Sequence, residues 1–285
     1  MKVFDCANIF PKILFEFGRI KIFSYGAIAA ISILIASFAM KFFVRKIPRF
    51  AKLQNLDFEN LFFFAIFGGF VGARLFYILF YNFEFFAQNP AQIFAIYRGG
   101  LSVHGGICGG VFGIYFFARK FRENCWQILD FATPFLALGL SFGRIGNFIN
   151  GELFGRAIFN FPFACDFGDG VVRFPVQILG SAKNFAIFAI LFALFFSRRK
   201  FFEGFFAAVF LILLGASRFF IEFLREPDAQ LGFIFWKITA GQIFAAMTFA
   251  LGIFLLFRRK NYSKKIKSRR ASQKKILENF NEDFQ

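Results

Sequence analysis

Apolar stretches close to 20 residues long recur along this chain, separated by short breaks in which charge is concentrated. About 20 apolar residues in a helix cover the roughly 30 Å of a bilayer's hydrocarbon, so the pattern predicts membrane-spanning helices. They fall at 22–40, 60–81, 101–118, 125–142, 176–196, 204–224 and 235–257, which makes seven spans. The fifth and seventh each carry a lysine near an end. Lys183 lies about two turns inside the fifth, and its long stem would let it snorkel to the surface.

Composition removes the soluble alternative. Of 285 residues, 58% are hydrophobic and 18% charged, and the mean hydropathy is +0.59. An average soluble chain is roughly 45–50% apolar and about 25% charged. Phenylalanine accounts for 56 residues. It is as favourable as leucine in a bilayer core, and we read it as hydrophobic filler, not as an aromatic binding surface. The four cysteines, at 6, 108, 125 and 165, have no disulfide-framework or zinc spacing, and a single histidine excludes most histidine-rich metal sites. The expected fold class is an all-α polytopic membrane protein, with residues 1–257 as a catalytic membrane domain and 258–285 as a basic tail.

Charge sets the expected orientation. The breaks after spans one, three, five and seven (Lys41 to Lys52, Arg119 to Arg122, Arg198 to Lys200, Arg258 to Lys275) hold 21 of the 34 basic residues. By the positive-inside rule they face the cytoplasm. The amino terminus and the 82–100, 143–175 and 225–234 loops are then outside, with a small extracytoplasmic segment between spans four and five. No small-residue cleavage site follows span one, which reads as a retained span. The tail carries a net charge of +7 and is expected to lie along anionic lipid or to remain disordered. Basic juxtamembrane tails are common, and no nucleic-acid partner is read from it.

A charged group inside a span costs at least about 2.5–3.5 kcal/mol, so each one needs a reason. Arg74 lies in span two with Tyr77 and Tyr81 on its face; Asp130 lies in span four ahead of Pro134. Arg218, Glu222 and Arg225 form one stripe on span six. Arg218 and Glu222 read either as a functional pair or as an intrahelical i,i+4 ion pair. Arg225, Glu226 and Asp228, in the outer loop, read as solvated. Span three opens Arg98-Gly99-Gly100-Leu101-Ser102-Val103-His104-Gly105-Gly106, and its later glycines repeat every four residues. That spacing suits close packing of transmembrane helices. His104, the lone histidine, sits near the outer end of a span. With an ordinary pKa near 6.5, it is a candidate base.

The densest polar stretch runs from Gly143 to Arg156: Gly-Arg-Ile-Gly-Asn-Phe-Ile-Asn-Gly-Glu-Leu-Phe-Gly-Arg. Glycine lets backbone N–H groups approach a ligand, arginine grips phosphate with two bonds, and asparagine both donates and accepts. These are the ingredients of a phospholipid headgroup site. Residues 143–155 resemble the signature of the bacterial prolipoprotein diacylglyceryl transferases over their whole length. Ser24-Tyr25-Gly26, Gly72-Ala73-Arg74, the 98–106 stretch and Arg218 to Gln230 resemble further motifs of that family, so the resemblance covers residues 20 to 257.

The resemblance implies a seven-span enzyme of the bacterial plasma membrane, amino terminus outside, using no metal or organic cofactor. Such enzymes move the diacylglyceryl group of phosphatidylglycerol onto the lipobox cysteine thiol of a prolipoprotein signal peptide, releasing glycerol phosphate. Their partners are therefore that lipid, that peptide and the surrounding membrane lipids. Tyr25, His104, Arg144, Asn147, Glu152, Gly155, Arg218 and Glu222 match positions that the family treats as functional. Arg144 and Arg218 would hold the phosphate, with Asn147 and backbone N–H groups near Gly155 adding donors. His104 would take the thiol proton, or else only position substrate while the arginines favour the thiolate. Glu222 would orient Arg218, Tyr25 would position the headgroup, and Glu152 would join the lipid site. The chain departs from the family pattern at Leu214, where a tyrosine is usual. It departs again at Arg173-Phe174-Pro175-Val176-Gln177-Ile178-Leu179-Gly180, where Arg-His-Pro followed by Gln-Leu-Tyr-Glu is usual. A transporter, or an inactive relative that binds lipid or signal peptide, remains the alternative reading.

Overall fold

The computed structural model describes residues 4–7, 11, 13–17, 20–95, 99–158, 161–226, 233–235 and 238–282; the side chains of 20–22, 103, 104, 233–235, 267, 270, 271 and 274–282 are outside that description. Among the described residues, six helices are long and apolar enough to cross a membrane. They are α1 (Ser24–Phe43), α2 (Phe58–Tyr81), α5 (Cys125–Asn150), α6 (Val176–Phe195), α7 (Phe205–Ile221, prolonged by a 3-10 turn to Leu224) and the first part of α8 (Ala240–Glu282). Between α2 and α5 come a short α3 (Phe83–Gln88) and α4 (Val103–Phe121), the expected third span, 19 residues long. Large apolar side chains such as Phe63, Phe67 and Phe70 are exposed on α2, as hydrocarbon contact requires.

Three expectations change. The chain is not purely helical: short strands flank the helices. Strand β1 (Phe4–Asp5) pairs parallel with β4 (Cys165–Asp166), and β4 pairs antiparallel with β5 (Val172–Arg173). Hairpins form between β2 (Ile13–Phe17) and β3 (Ile20–Phe23), and between β6 (Phe233–Phe235) and β7 (Ile238–Thr239). The stretch 143–150, expected as loop, is the last two turns of α5. The basic tail, expected either to lie along anionic lipid or to remain disordered, is helical, because α8 continues unbroken to Glu282.

The chain forms two compact units, residues 41–129 and residues 1–40 with 130–285. In the first, Asp57 caps α2, accepting from the Asn60 backbone N–H (3.0 Å) and the Asn60 amide (2.6 Å). Those bonds hold its carboxyl below the ordinary range. Helices α2 and α4 pack backbone against backbone. A Cβ on Gly68 or Gly72 would run into the Gly109 or Gly105 carbonyl of α4, so the four-residue glycine repeat is a packing device.

Arg74 is structural. Its guanidinium donates to the carbonyls of Gln92 (2.7 Å), Ile93 (2.9 Å), Gly99 (2.7 Å) and Gly100 (3.1 Å) and lies over the Phe86 ring. It thereby fixes the approach to α4. Gly100, at φ +81°, is required there, because a Cβ would stand 2.7 Å from the Tyr77 ring and 2.8 Å from the Arg74 guanidinium.

In the second unit, Asp130 is also structural. Buried at the base of α5, it accepts from the backbone N–H groups of Gly204 (2.7 Å) and Ala207 (3.0 Å) and so caps α7. Pro134 deprives the Asp130 carbonyl of its helical donor, and the Thr133 hydroxyl supplies one at 3.1 Å. Helices α7 and α8 approach closely where Gly215 faces Ala245 and Phe249, and where Gly252 faces Ile212 and Ala208.

Candidate headgroup site

The signature stretch divides at Gly151. Its φ of +64° lets the Gly151 N–H bond the Phe148 carbonyl (3.2 Å) and the Glu152 N–H the Asn147 carbonyl (2.9 Å). This pair of bonds closes a helix with a left-handed glycine. Helix α5 therefore carries Arg144 and Asn147 one turn apart on a shared face, while the rest of the signature leaves as an irregular loop in which Leu153 has φ +55° and Gly155 forms an isolated bridge.

That loop is gripped on both sides. The Arg156 N–H donates to the Leu224 carbonyl (2.9 Å), the Glu226 N–H to the Phe154 carbonyl (3.0 Å), and the Phe174 N–H to the Arg156 carbonyl (3.2 Å). Gly155 bridges to Arg225 and faces Phe174, whose carbonyl oxygen occupies the place a Cβ would take. The buried Gln177 donates to the Glu152 carbonyl (2.8 Å) and locks the same loop to the start of α6. Outside it, Arg173 pairs with Asp169 (2.6 Å) and Glu226 (3.1 Å) and lies over Phe154. The hydrogen bond from Arg173, then that from the Val171 N–H, holds the exposed Asp169 carboxyl below its ordinary range.

Cationic side chains of neighbouring elements act on one another electrostatically. Arg144 lies along Gly180 of α6, its Cδ 3.4 Å from where a glycine Cβ would stand. It interacts electrostatically with Arg218, Arg225, Glu222 and Tyr25, and Lys183 does so with Arg144 and Arg218. Glu222 is buried, 3.6 Å from the Arg225 guanidinium, and accepts from the Thr239 hydroxyl at 3.3 Å. Gly241 leaves room for that carboxylate, which a Cβ would strike. Tyr25, in the first turn of α1, lays its ring against Gly146, 3.2 Å from a Cβ position there.

The predicted residues therefore divide. Arg144, Arg218, Glu222 and Tyr25 come together; Asn147 is buried one turn from Arg144; Gly155 contributes backbone. The Glu152 side chain is exposed and accepts from the Asn150 amide. The His104 side chain lies outside the described residues, and its backbone is in the first turn of α4.

Two cations were misread from sequence. Arg225, expected in solvent, is buried against Glu222, and Lys183 shares the field of two arginines. The i,i+3 spacing of Glu222 and Arg225 was the available signal for the first. A disulfide was missed as well: Cys6 and Cys165 are bonded under Phe167, Phe148 and Phe154. Both cysteines fall in segments expected on the same outer side.

Arg144 and Lys183 each have like-charged arginines among their electrostatic partners, an arrangement that is costly where little water reaches it. An arrangement of that sign is built for an anion, and two arginine forks suit the oxygens of a phosphate. Among the described residues, no cluster of side chains could hold a metal ion.

Comparison with known proteins narrows the anion. The profile of the prolipoprotein diacylglyceryl transferase family matches residues 12–258. Three relatives are each named phosphatidylglycerol–prolipoprotein diacylglyceryl transferase. That of Idiomarina loihiensis is 39% identical over 79% of this chain and 86% of its own length. That of Nitratidesulfovibrio vulgaris is 42% identical over 68% and 74%, and that of Campylobacter curvus 36% identical over 91% and 98%.

Proposed function

The chain belongs to the prolipoprotein diacylglyceryl transferase family, and from that premise we propose that it transfers the diacylglyceryl group of phosphatidylglycerol to the lipobox cysteine of prolipoproteins. This is the first step of lipoprotein maturation, a transferase reaction at a multi-pass membrane protein. The observation that carries the reading is the position of Arg144, at the end of α5 and against Gly180, with Arg218, Arg225, Glu222 and Lys183 as its electrostatic neighbours.

In the reaction the substrate sulfur attacks a glycerol carbon. The carbon–oxygen bond breaks, and its electron pair stays on the phosphate oxygen. A diester carrying one negative charge becomes a glycerol phosphate carrying two. Arg144 and Arg218 hold the phosphate and stabilise that gain of charge. Glu222 and Arg225 fix the wall behind them, Asn147 and the Gly155 backbone add polar contacts, Glu152 shapes the loop, and Tyr25 borders the headgroup. His104 takes the thiol proton, which a group of ordinary pKa about 8.5 surrenders only in part at neutral pH.

Helix α4 completes a seventh span in this reading, with the amino terminus outside and the site at the outer leaflet of the bacterial inner membrane. The Cys6–Cys165 disulfide supports that orientation independently of charge, because such bonds persist on the oxidising side of the membrane.

The test is incubation of the purified protein with phosphatidylglycerol and a lipobox peptide. Mass spectrometry should find a diacylglyceryl adduct on the cysteine peptide and none on its serine counterpart. An unmodified cysteine peptide would refute the transferase reading.

A further inference from the structure

Lys183 is two turns into α6. On a lipid-facing surface a lysine at that depth would extend toward the headgroups at modest cost. This one is half-buried and on the face of α6 that Gly180 opens, one turn away, where the side chain of Arg144 lies along the helix. Its electrostatic partners are Arg144 and Arg218, and no carboxylate pairs with it among the described residues. A third cation set beside two arginines destabilises the empty protein, since like charges repel most where water is scarce. An anion of more than one charge in the space between them would offset that cost.

The proposed reaction creates such an anion, because cleavage of the carbon–oxygen bond turns a singly charged phosphodiester into a doubly charged glycerol phosphate. We propose that Lys183 is a further catalytic residue, the third arm of the phosphate clamp, placed beside Arg144 to take up the charge that appears on the leaving oxygen. The inference rests on the transferase reading and adds to it a residue outside the family's signature. The arginines bind the planar pairs of oxygens already charged in the substrate. The ammonium, a compact point charge with three rotatable donors, follows the oxygen that gains charge. Lys183 therefore acts on the turnover step and on the product more than on the bound lipid.

The experiment compares the wild type with Lys183→Met, Lys183→Gln and Lys183→Arg in detergent micelles containing phosphatidylglycerol and a saturating lipobox peptide. For Lys183→Met and Lys183→Gln, kcat should fall at least about tenfold, or about 1.4 kcal/mol. KM for phosphatidylglycerol should stay within about threefold, and inhibition by added glycerol phosphate should weaken about tenfold, as expected of a contact stronger to product than to substrate. Lys183→Arg, which restores the charge, should recover most of the rate. Unchanged kcat and unchanged product inhibition in Lys183→Met would overturn the proposal, as would an Arg variant no better than Met.

The two neutral variants guard against loss of fold in one of them. If the wild type itself makes no adduct, the transferase reading has failed. Calorimetric binding of glycerol phosphate to wild type and Lys183→Gln then decides this inference alone. Weaker binding by the variant sustains Lys183 as an anion ligand, and equal binding removes it.

Discussion

Gly155→Ala is expected to disable the protein through a single methyl group. The added carbon would occupy the position of the Phe174 carbonyl oxygen, with the Phe174 carbonyl carbon at 3.0 Å and its Cβ at 3.2 Å. Both obstacles are backbone or close to it, so no side-chain rotation relieves the overlap. The two segments must part by about 1 Å to recover ordinary contact. Overpacking of this kind costs about 1–3 kcal/mol, which in a chain of this size lowers Tm by roughly 2–10 °C. The larger effect is on position. The loop carrying Gly155 is bonded to Leu224 and Glu226 on its other side, so the displacement reaches Arg225 and its partner Glu222. A misplacement near 1 Å is enough to cost about 10²-fold in rate. The assay pairs thermal unfolding in detergent with initial transfer rates, and Gly139→Ala is the control. Nothing lies within 4 Å of a Cβ at Gly139, in the middle of α5, and alanine is favoured over glycine in a helix by about 1 kcal/mol. Gly155→Ala matching that control in both stability and rate would refute the steric argument.

Arg144→Lys keeps the charge and loses the planar fork, and transfer should fall about 10²-fold; activity near that of the wild type would count against bidentate phosphate binding. Gly109→Val should destabilise the α2–α4 pair, because a Cβ there meets the Gly68 carbonyl and stands 2.8 Å from the Gly72 Cα. Gly110→Ala, whose nearest neighbour would be the Ala65 oxygen at 3.5 Å, should not; equal melting temperatures for the two variants would contradict the packing. The Asp169 carboxyl is held below its ordinary 3.8 by Arg173. The stability it contributes is therefore complete above about pH 5 and lost as pH falls through the lowered folded value. The gap in melting temperature between wild type and Asp169→Asn should be constant from about pH 5 to 8 and shrink as pH falls below the ordinary carboxylate range. A gap that persists at the acid end would show that the carboxylate charge is not its source.

The spans were legible because hydropathy over about 20 residues registers directly the cost of exposing backbone and polar groups to lipid. The ends of the spans were not. Arg144 and Asn147 looked like the exit from a helix, yet they continue α5 because the protein around them, and not hydrocarbon, receives their polar groups. A window that sums hydropathy cannot distinguish those two environments. For the same reason Arg74 and Asp130 were rightly marked as needing a purpose. Only their partners, four carbonyls for the one and the N–H groups of α7 for the other, identify that purpose as structural. Lys183 was read from its distance to the helix end, whereas its surroundings follow from the absence of a side chain at Gly180. The Cys6–Cys165 bond joins residues 159 apart, a pairing that spacing alone does not reveal. Placing both cysteines on the expected outer side would have suggested it. Strands β1, β4 and β5 escaped notice because two-residue pairings carry no periodic signal.

The central claim is that arginines from α5 and α7 converge on one phosphate. Titration calorimetry in micelles tests it directly, using short-chain phosphatidylglycerol and, as the same diacylglyceryl unit without its phosphoglycerol headgroup, short-chain diacylglycerol. Binding of phosphatidylglycerol to the wild type should be at least about tenfold tighter than binding of diacylglycerol, given about 1.5–3 kcal/mol for a charge-assisted hydrogen bond. A variant combining Arg144→Gln with Arg218→Gln should bind the two lipids alike. If that variant still prefers phosphatidylglycerol as strongly as the wild type does, the two arginines do not read the phosphate.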